Sequence, residues 1–286
     1  IINKQSFLDL NACVGGWKEP SKMVSGSYPW NRDANPKFYD PWDKANMNLS
    51  AFCKTGRPAP RTTGNILAMN IAYQSGHVFS GKISIPIIDV RWYLEPVLDM
   101  HHTLASFSAR ARMLAHAGQY DNQVIWVAEC TKLDTVSLKH ECIYDPTGEA
   151  LDVMDQWMAG IQDNLTVVSA KPKRAIDSCF AGDGKIIYAG STAWDGVINN
   201  AQKGKCTQKF PVNSNSRIIA GGPIEDGIFK CALKPLKSAI NDGTYKDVKF
   251  LPEEISRLDA IFPNGVCDYV QPDQGLPRNY LATLNK

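Results

Sequence analysis

Three short stretches hold the side chains that could move a proton at neutral pH. The first is Glu95-Pro96-Val97-Leu98-Asp99-Met100-His101-His102, with two carboxylates and two histidines in eight residues. The second is His140, set between Cys130 and Cys142, and the third is Asp89, which closes the run Pro86-Ile87-Ile88-Asp89. Imidazole is the one side chain whose ordinary titration falls between pH 5 and 8, so a histidine near a carboxylate suits general acid–base work. Adjacent histidines at a helix start point in different directions and rarely share a metal. The chain has no C-x-x-C pair either, so no metal or other cofactor is expected. His77 and His116 read as structural: one follows a helix stop, the other sits in a last helical turn, where a cation suits the dipole. Arg110 and Arg112 fall on the polar side of a helix, as anchors for carboxylates.

These residues need elements to hold them. The β-branched run Ile83-Ser84-Ile85-Pro86-Ile87-Ile88 predicts a buried parallel strand over 83–88. Leu104, Phe107, Ala111 and Leu114 predict a helix that stops at Gly118. Gln123-Val124-Ile125-Trp126-Val127-Ala128 predicts a second core strand, followed by a loop with His140. Asp145-Pro146 opens a further helix, with Leu151, Met154, Trp157, Met158 and Ile161 as its buried stripe. Outside this unit, residues 64–75 and the stretch after Pro252 read as helices. Residues 1–60 are turn-rich, with Trp17, Tyr28, Trp30, Phe38, Tyr39 and Trp42. They form either an irregular cap packed through its rings or a platform for a sugar or phenolic group. The division expected is 1–80 as cap or lid, 81–162 as the α/β core, and 163–286 as a disulfide-stapled tail wrapped on it.

Bulk properties narrow the class. Apolar residues make up 44% of the 286, enough for a sizeable core. A formal charge of +2 leaves no basic footprint for nucleic acid, and no apolar run reaches the length of a membrane span. Eight cysteines without metal spacing suit disulfides in an oxidising compartment, so the chain is expected to be secreted or periplasmic. Asn48-Leu49-Ser50 and Asn164-Leu165-Thr166 are glycosylation sequons. Ile1-Ile2-Asn3 is neither a signal peptide nor an initiator, so a trimmed chain or one piece of a longer precursor is expected.

The order strand, acid, helix, strand, histidine resembles the C-terminal end of an α/β-hydrolase. Ile85-Pro86-Ile87-Ile88 and Glu95-Pro96-Val97 fall at the spacing of that fold's strand-then-acid pattern, with Glu in place of Asp and Trp92 near the place of its glycine. The chain also resembles a group of large secreted α/β-hydrolase-like proteins distantly similar to tannases and feruloyl esterases. That resemblance rests on Phe7-Leu8-Asp9-Leu10-Asn11-Ala12, Ser106-Phe107-Ser108-Ala109-Arg110-Ala111-Arg112, Asp121-Asn122-Gln123-Val124-Ile125, Ala220-Gly221-Gly222-Pro223 and Phe262-Pro263-Asn264-Gly265-Val266-Cys267-Asp268.

The resemblance implies a serine hydrolase acting on an ester or related acyl bond. His140 is then the base, beyond the last core strand; Glu95 is the orienting acid, with Asp99 and then Asp89 behind it; His101 and His102 line the substrate pocket or rival His140. The G-x-S-x-G nucleophile elbow is missing, and Ser75-Gly76 and Gly190-Ser191 are only fragments of it. The nucleophile is therefore expected from the N-terminal half of the same precursor, as a tightly associated chain whose strands complete a sheet with only two core strands here. The other reading is a non-catalytic binding or assembly protein on a hydrolase-like scaffold. The disulfides expected are Cys130–Cys142, Cys179–Cys206, Cys231–Cys267 and Cys13–Cys53.

Overall fold

The computed structural model describes residues 3–19, 22, 47–97, 102–134, 139–162, 165–219, 221–245 and 247–278. Its elements are α1 (Lys4–Cys13), β1 (Val14–Trp17), β2 (Met47–Leu49), α2 (Ile66–Gln74), β3 (Ile87–Tyr93), α3 (Leu104–Ala117), β4 (Gln123–Glu129), β5 (Lys132–Asp134), β6 (Lys139–Glu141) and α4 (Thr147–Gln162). The chain continues through β7 (Ser178–Phe180), β8 (Ile186–Ala189), α5 (Lys205–Lys209), α6 (Ser216–Ile219), β9 (Ala232–Lys234), α7 (Leu236–Asn241), α8 (Pro252–Ile261) and β10 (Val266–Asp268). The fold class is α/β. The described residues divide into two compact units, one from Ala72–Gly227 and one from Ile1–Ile71 with Ile228–Arg278.

The first unit is built on a four-stranded sheet in the order β3-β4-β7-β8. β4 is its buried axis: Val124, Ile125, Trp126, Val127 and Ala128 are all closed to solvent. β3 and β7 flank it in parallel, and β8 returns antiparallel to β7. Alternate side chains of β4 go to opposite faces, as strand geometry demands. Ile125 and Val127 meet Phe107 of α3, Trp194, Phe210 and the Cys179–Cys206 disulfide. Val124, Trp126 and Ala128 meet Ala150, Val153 and Trp157 of α4 with Phe180. Each large side chain buried this way contributes about 1.5–3 kcal/mol.

The strand expected over 83–88 runs instead from Ile87 to Tyr93. Pro86 has no N–H for the ladder, so pairing starts after it. Before it, the Asn122 amide holds the carbonyls of Ile83 (3.3 Å) and Ile85 (2.8 Å). Past Ile88 the strand alternates apolar Val90 and Trp92 with Asp89 and Arg91, a period-2 pattern rather than a continuous apolar run. The expectation of only two core strands is also corrected. The 163–286 tail supplies β7 and β8, and β7 is buried at every position.

α4 turns a different face inward from the one expected. Ala150, Val153 and Trp157 are buried, whereas Leu151 is 65% and Met158 42% exposed. Trp157 sets this rotation: its ring is fully buried and its indole N–H donates to the Val167 carbonyl at 2.6 Å. Arg110 anchors a carboxylate, as expected. Its guanidinium forks onto Asp177 at 2.6 and 2.7 Å and its Nε donates to Gln123 at 3.0 Å, while Asp177 also accepts the Ile125 amide at 2.7 Å. Arg112 differs and binds three carbonyls, of Phe79, Glu225 and Asp226. Gly81 (φ +91°) lies against the Arg112 carbonyl, where a Cβ would sit 2.1 Å from the oxygen. Only glycine fits there.

In the second unit α1 packs on α8 through Leu8, Leu258 and Leu236, with Ala12 and Ile261 beside Cys53. Asn3 caps α1 by accepting the Ser6 amide at 2.8 Å. Two ion pairs join the helices, Lys4–Glu254 at 2.7 Å and Arg257–Asp9 at 2.5 Å. The Arg257 hydrogen bond holds the Asp9 carboxyl below its ordinary range. Pro252 opens α8 as expected. Two small antiparallel pairs, β1 with β2 and β9 with β10, are stapled by Cys13–Cys53 and Cys231–Cys267. All four expected disulfides form, and no described helix is long and apolar enough to cross a membrane.

Candidate functional site

β3 delivers its chain to Leu94, which is buried, and then to a 3-10 turn over Glu95–Val97. Glu95 is 6% exposed, an unusual position for a carboxylate. Its Oε1 accepts the Thr103 amide at 3.0 Å and the Thr103 hydroxyl. Its Oε2 is enclosed and has no hydrogen-bond partner among the described residues. Leaving a buried acceptor unpaired costs about 1–3 kcal/mol, more for a charged group. Thr103 stands immediately before α3, so the carboxylate also faces a helix N-terminus, whose partial positive charge complements it. His102, next in line, has an enclosed Nδ1 that is likewise unpartnered among the described residues. Tyr93, two residues before Glu95, donates its hydroxyl to the Pro211 carbonyl at 2.8 Å. Partial burial, with the Glu95 charge adding to it, raises the Tyr93 phenol to about 12.

Past the same end of the sheet, β4 gives way to a hairpin. β5 and β6 pair antiparallel with Leu133 opposite His140, and the Cys130–Cys142 disulfide closes its base. Cys130 and Cys142 pack with Trp92 and Leu94, and β5 lies against the turn that holds Glu95. The Glu95 turn and the His140 backbone therefore meet beyond the carboxyl ends of β3 and β4. Open α/β sheets place their ligands at that edge.

Other candidates fall elsewhere. His140 lies on strand β6 rather than in an open loop, and β4 is not the last core strand, because β7 adds beside it. A three-residue strand inside a polar, glycine-rich tail leaves almost no pattern to read. Asp89 lies within β3, not at its end, and pairs with Arg91 at 3.1 Å. Asp99 and His101 lie outside the described residues, as do Tyr28, Trp30, Phe38, Tyr39 and Trp42 of the expected aromatic platform. Ser75 follows α2 instead of a strand, and its Oγ is 2.7 Å from Nδ1 of exposed His77. Gly190-Ser191 does follow a strand, but turns rather than a helix come next. Among the described residues there is thus no nucleophile elbow, and no cluster of three or more His, Cys, Asp or Glu is placed to hold a metal. Thr103 is the residue that sequence reasoning overlooks. Its signal is a hydroxyl at a helix start eight positions after a glutamate that follows a strand.

Two comparisons, one with curated proteins and one with solved structures, return no significant match. A scan of family models matches residues 1–277 to one described as a tannase-like family of unknown function (DUF6351). With nearly its whole length covered, the chain belongs to this tannase-like family.

Proposed function

We propose that this chain is the acid- and histidine-bearing part of a secreted esterase-type hydrolase. The observation that carries the reading is Glu95, buried at the carboxyl end of a parallel strand with one oxygen anchored and the other unclaimed. Family membership supports the ester class, and four disulfides support an oxidising compartment.

In this reading Glu95 orients the imidazole of His140, which takes the proton of a serine hydroxyl. The serine oxygen attacks the ester carbonyl, and the tetrahedral intermediate expels the alcohol, which takes its proton from the imidazolium. Water, activated by the same histidine, then releases the acid and restores the serine. The serine and oxyanion hole come from the N-terminal half of the same precursor. The free edge of β3 is the place where its strands would add, since β4 is the only partner of β3 among the described residues. Leu151 and Met158, exposed on α4, are apolar surface that a larger assembly would cover.

The test is hydrolysis of p-nitrophenyl acetate and methyl ferulate by the complete protein. His140→Ala is expected to reduce turnover by orders of magnitude with the fold intact, and Glu95→Gln by less. Full activity in both variants would sink the assignment. A complete protein that binds a phenolic ester without hydrolysing it would favour a binding protein on the same scaffold.

A further inference from the structure

We infer that Thr103 is a positioning residue, which fixes the Glu95 carboxylate so that Oε2 is kept for an imidazole N–H. This rests on the reading of Glu95 as the orienting acid. A threonine just ahead of a helix ordinarily turns its oxygen to the amides of the first turn and so caps its own helix. Thr103 does not. It makes no side-chain capping bond, and its backbone (φ −68°, ψ −20°) is already helical rather than extended. Its hydroxyl is donated to Glu95 instead, on the same oxygen that accepts its amide. Both donors converge on Oε1, so the plane of the carboxylate is set from one side.

Burial completes the arrangement. Thr103 is 1% exposed and Glu95 6%, so neither rotates freely into solvent. A glutamate serving only as a helix cap gains nothing from enclosing its second oxygen, yet Oε2 is enclosed and unpaired. That oxygen has the geometry of a reserved acceptor. The neighbouring His102 Nδ1 is also enclosed and unpaired, and the His140 hairpin packs against the same turn. The reserved acceptor therefore has two histidines of this chain near it.

The experiment uses the complete protein labelled with 15N-histidine. An imidazole N–H bonded to a carboxylate gives a slowly exchanging proton signal far downfield. The signal is expected in the wild type and in Thr103→Ser, and is expected to vanish in Glu95→Gln and in Thr103→Val, which keeps shape and amide but removes the hydroxyl. Thr103→Ala covers the case in which valine disturbs the packing. Turnover of p-nitrophenyl acetate should fall roughly ten- to hundredfold in Thr103→Val with KM little changed, and serine should restore most of it. No downfield signal in the wild type, or a signal that survives in Thr103→Val and Thr103→Ala, overturns the inference. A Thr103-dependent signal assigned to His102 supports it and removes His140 as the base. The same signal in a protein without esterase activity supports it and removes the hydrolase reading.

Discussion

Tyr93 and Glu95 share the carboxyl end of β3, and the tyrosine gives that end a measurable pH signature. An unfolded tyrosine releases its proton near 10, whereas burial and then the Glu95 charge raise folded Tyr93 to about 12. Its contribution to stability is therefore complete below pH 10 and is lost as pH rises from 10 through 12. Denaturant midpoints across that window should fall, and fall less steeply in Tyr93→Phe. An equal slope in the variant would show that the phenol is not held by the fold. A second residue-scale prediction concerns Asn48. Its amide nitrogen donates to the Trp17 carbonyl and to Thr62 Oγ1, both at 3.1 Å. A glycan on that nitrogen would break this pair of bonds, and Ser50 of the same sequon is engaged with the Arg57 carbonyl at 2.6 Å. Mass spectrometry of folded protein from a glycosylating host should find Asn48 unmodified.

Among the elements, the Arg110–Asp177 fork ties α3 and β4 to the segment entering β7. Both groups are nearly excluded from water, so removing one partner leaves the other buried and uncompensated. Asp177→Asn should cost about 3–5 kcal/mol, read as a lowered midpoint in urea. A loss under 1 kcal/mol would mean that the pair is solvated. How much of the fold is legible follows from pattern length. β4 announces itself as six apolar-dominated residues, and α8 by its proline and the spacing of Ile255, Leu258 and Ile261. β3 is misplaced by four residues because Pro86 sits inside the apolar run while Asp89 and Arg91 interrupt the alternation that follows. β7 and β8 are three and four residues long, too short for periodicity, and β8 shows mostly exposed positions. The place of Glu95 is readable from its spacing after the strand. Thr103 is not, because a threonine before a helix is first read as that helix's own cap.

At the scale of the whole molecule, the ends of the chain share a unit through pairs such as Lys4–Glu254, 250 residues apart. A contact at that separation leaves no local trace in the sequence. The sheet poses the larger question. β3 is seven residues long and borders β4 on one side only among the described residues, so alternate amides and carbonyls face away from the ladder. Long unpaired edges are sites of strand addition. The Asp89–Arg91 pair on this strand is the kind of inward charge that discourages chance pairing, and it leaves a register in which a matched strand can still bond. If the N-terminal half of the precursor completes the sheet there, hydrogen exchange should slow over Ile87–Tyr93 when the two parts are combined, and slow most at the outward amides. The exposed Leu151 and Met158 of α4 are candidates for burial in the same step, within an obligate interface of more than about 2,000 Å². Replacing Val90 by proline removes an N–H and disturbs the strand; replacing it by threonine keeps both the N–H and the β-branched shape. Proline should therefore abolish association while threonine leaves it nearly unchanged. Exchange over 87–93 that is identical in the separate and combined proteins would rule out β3 as the joining edge.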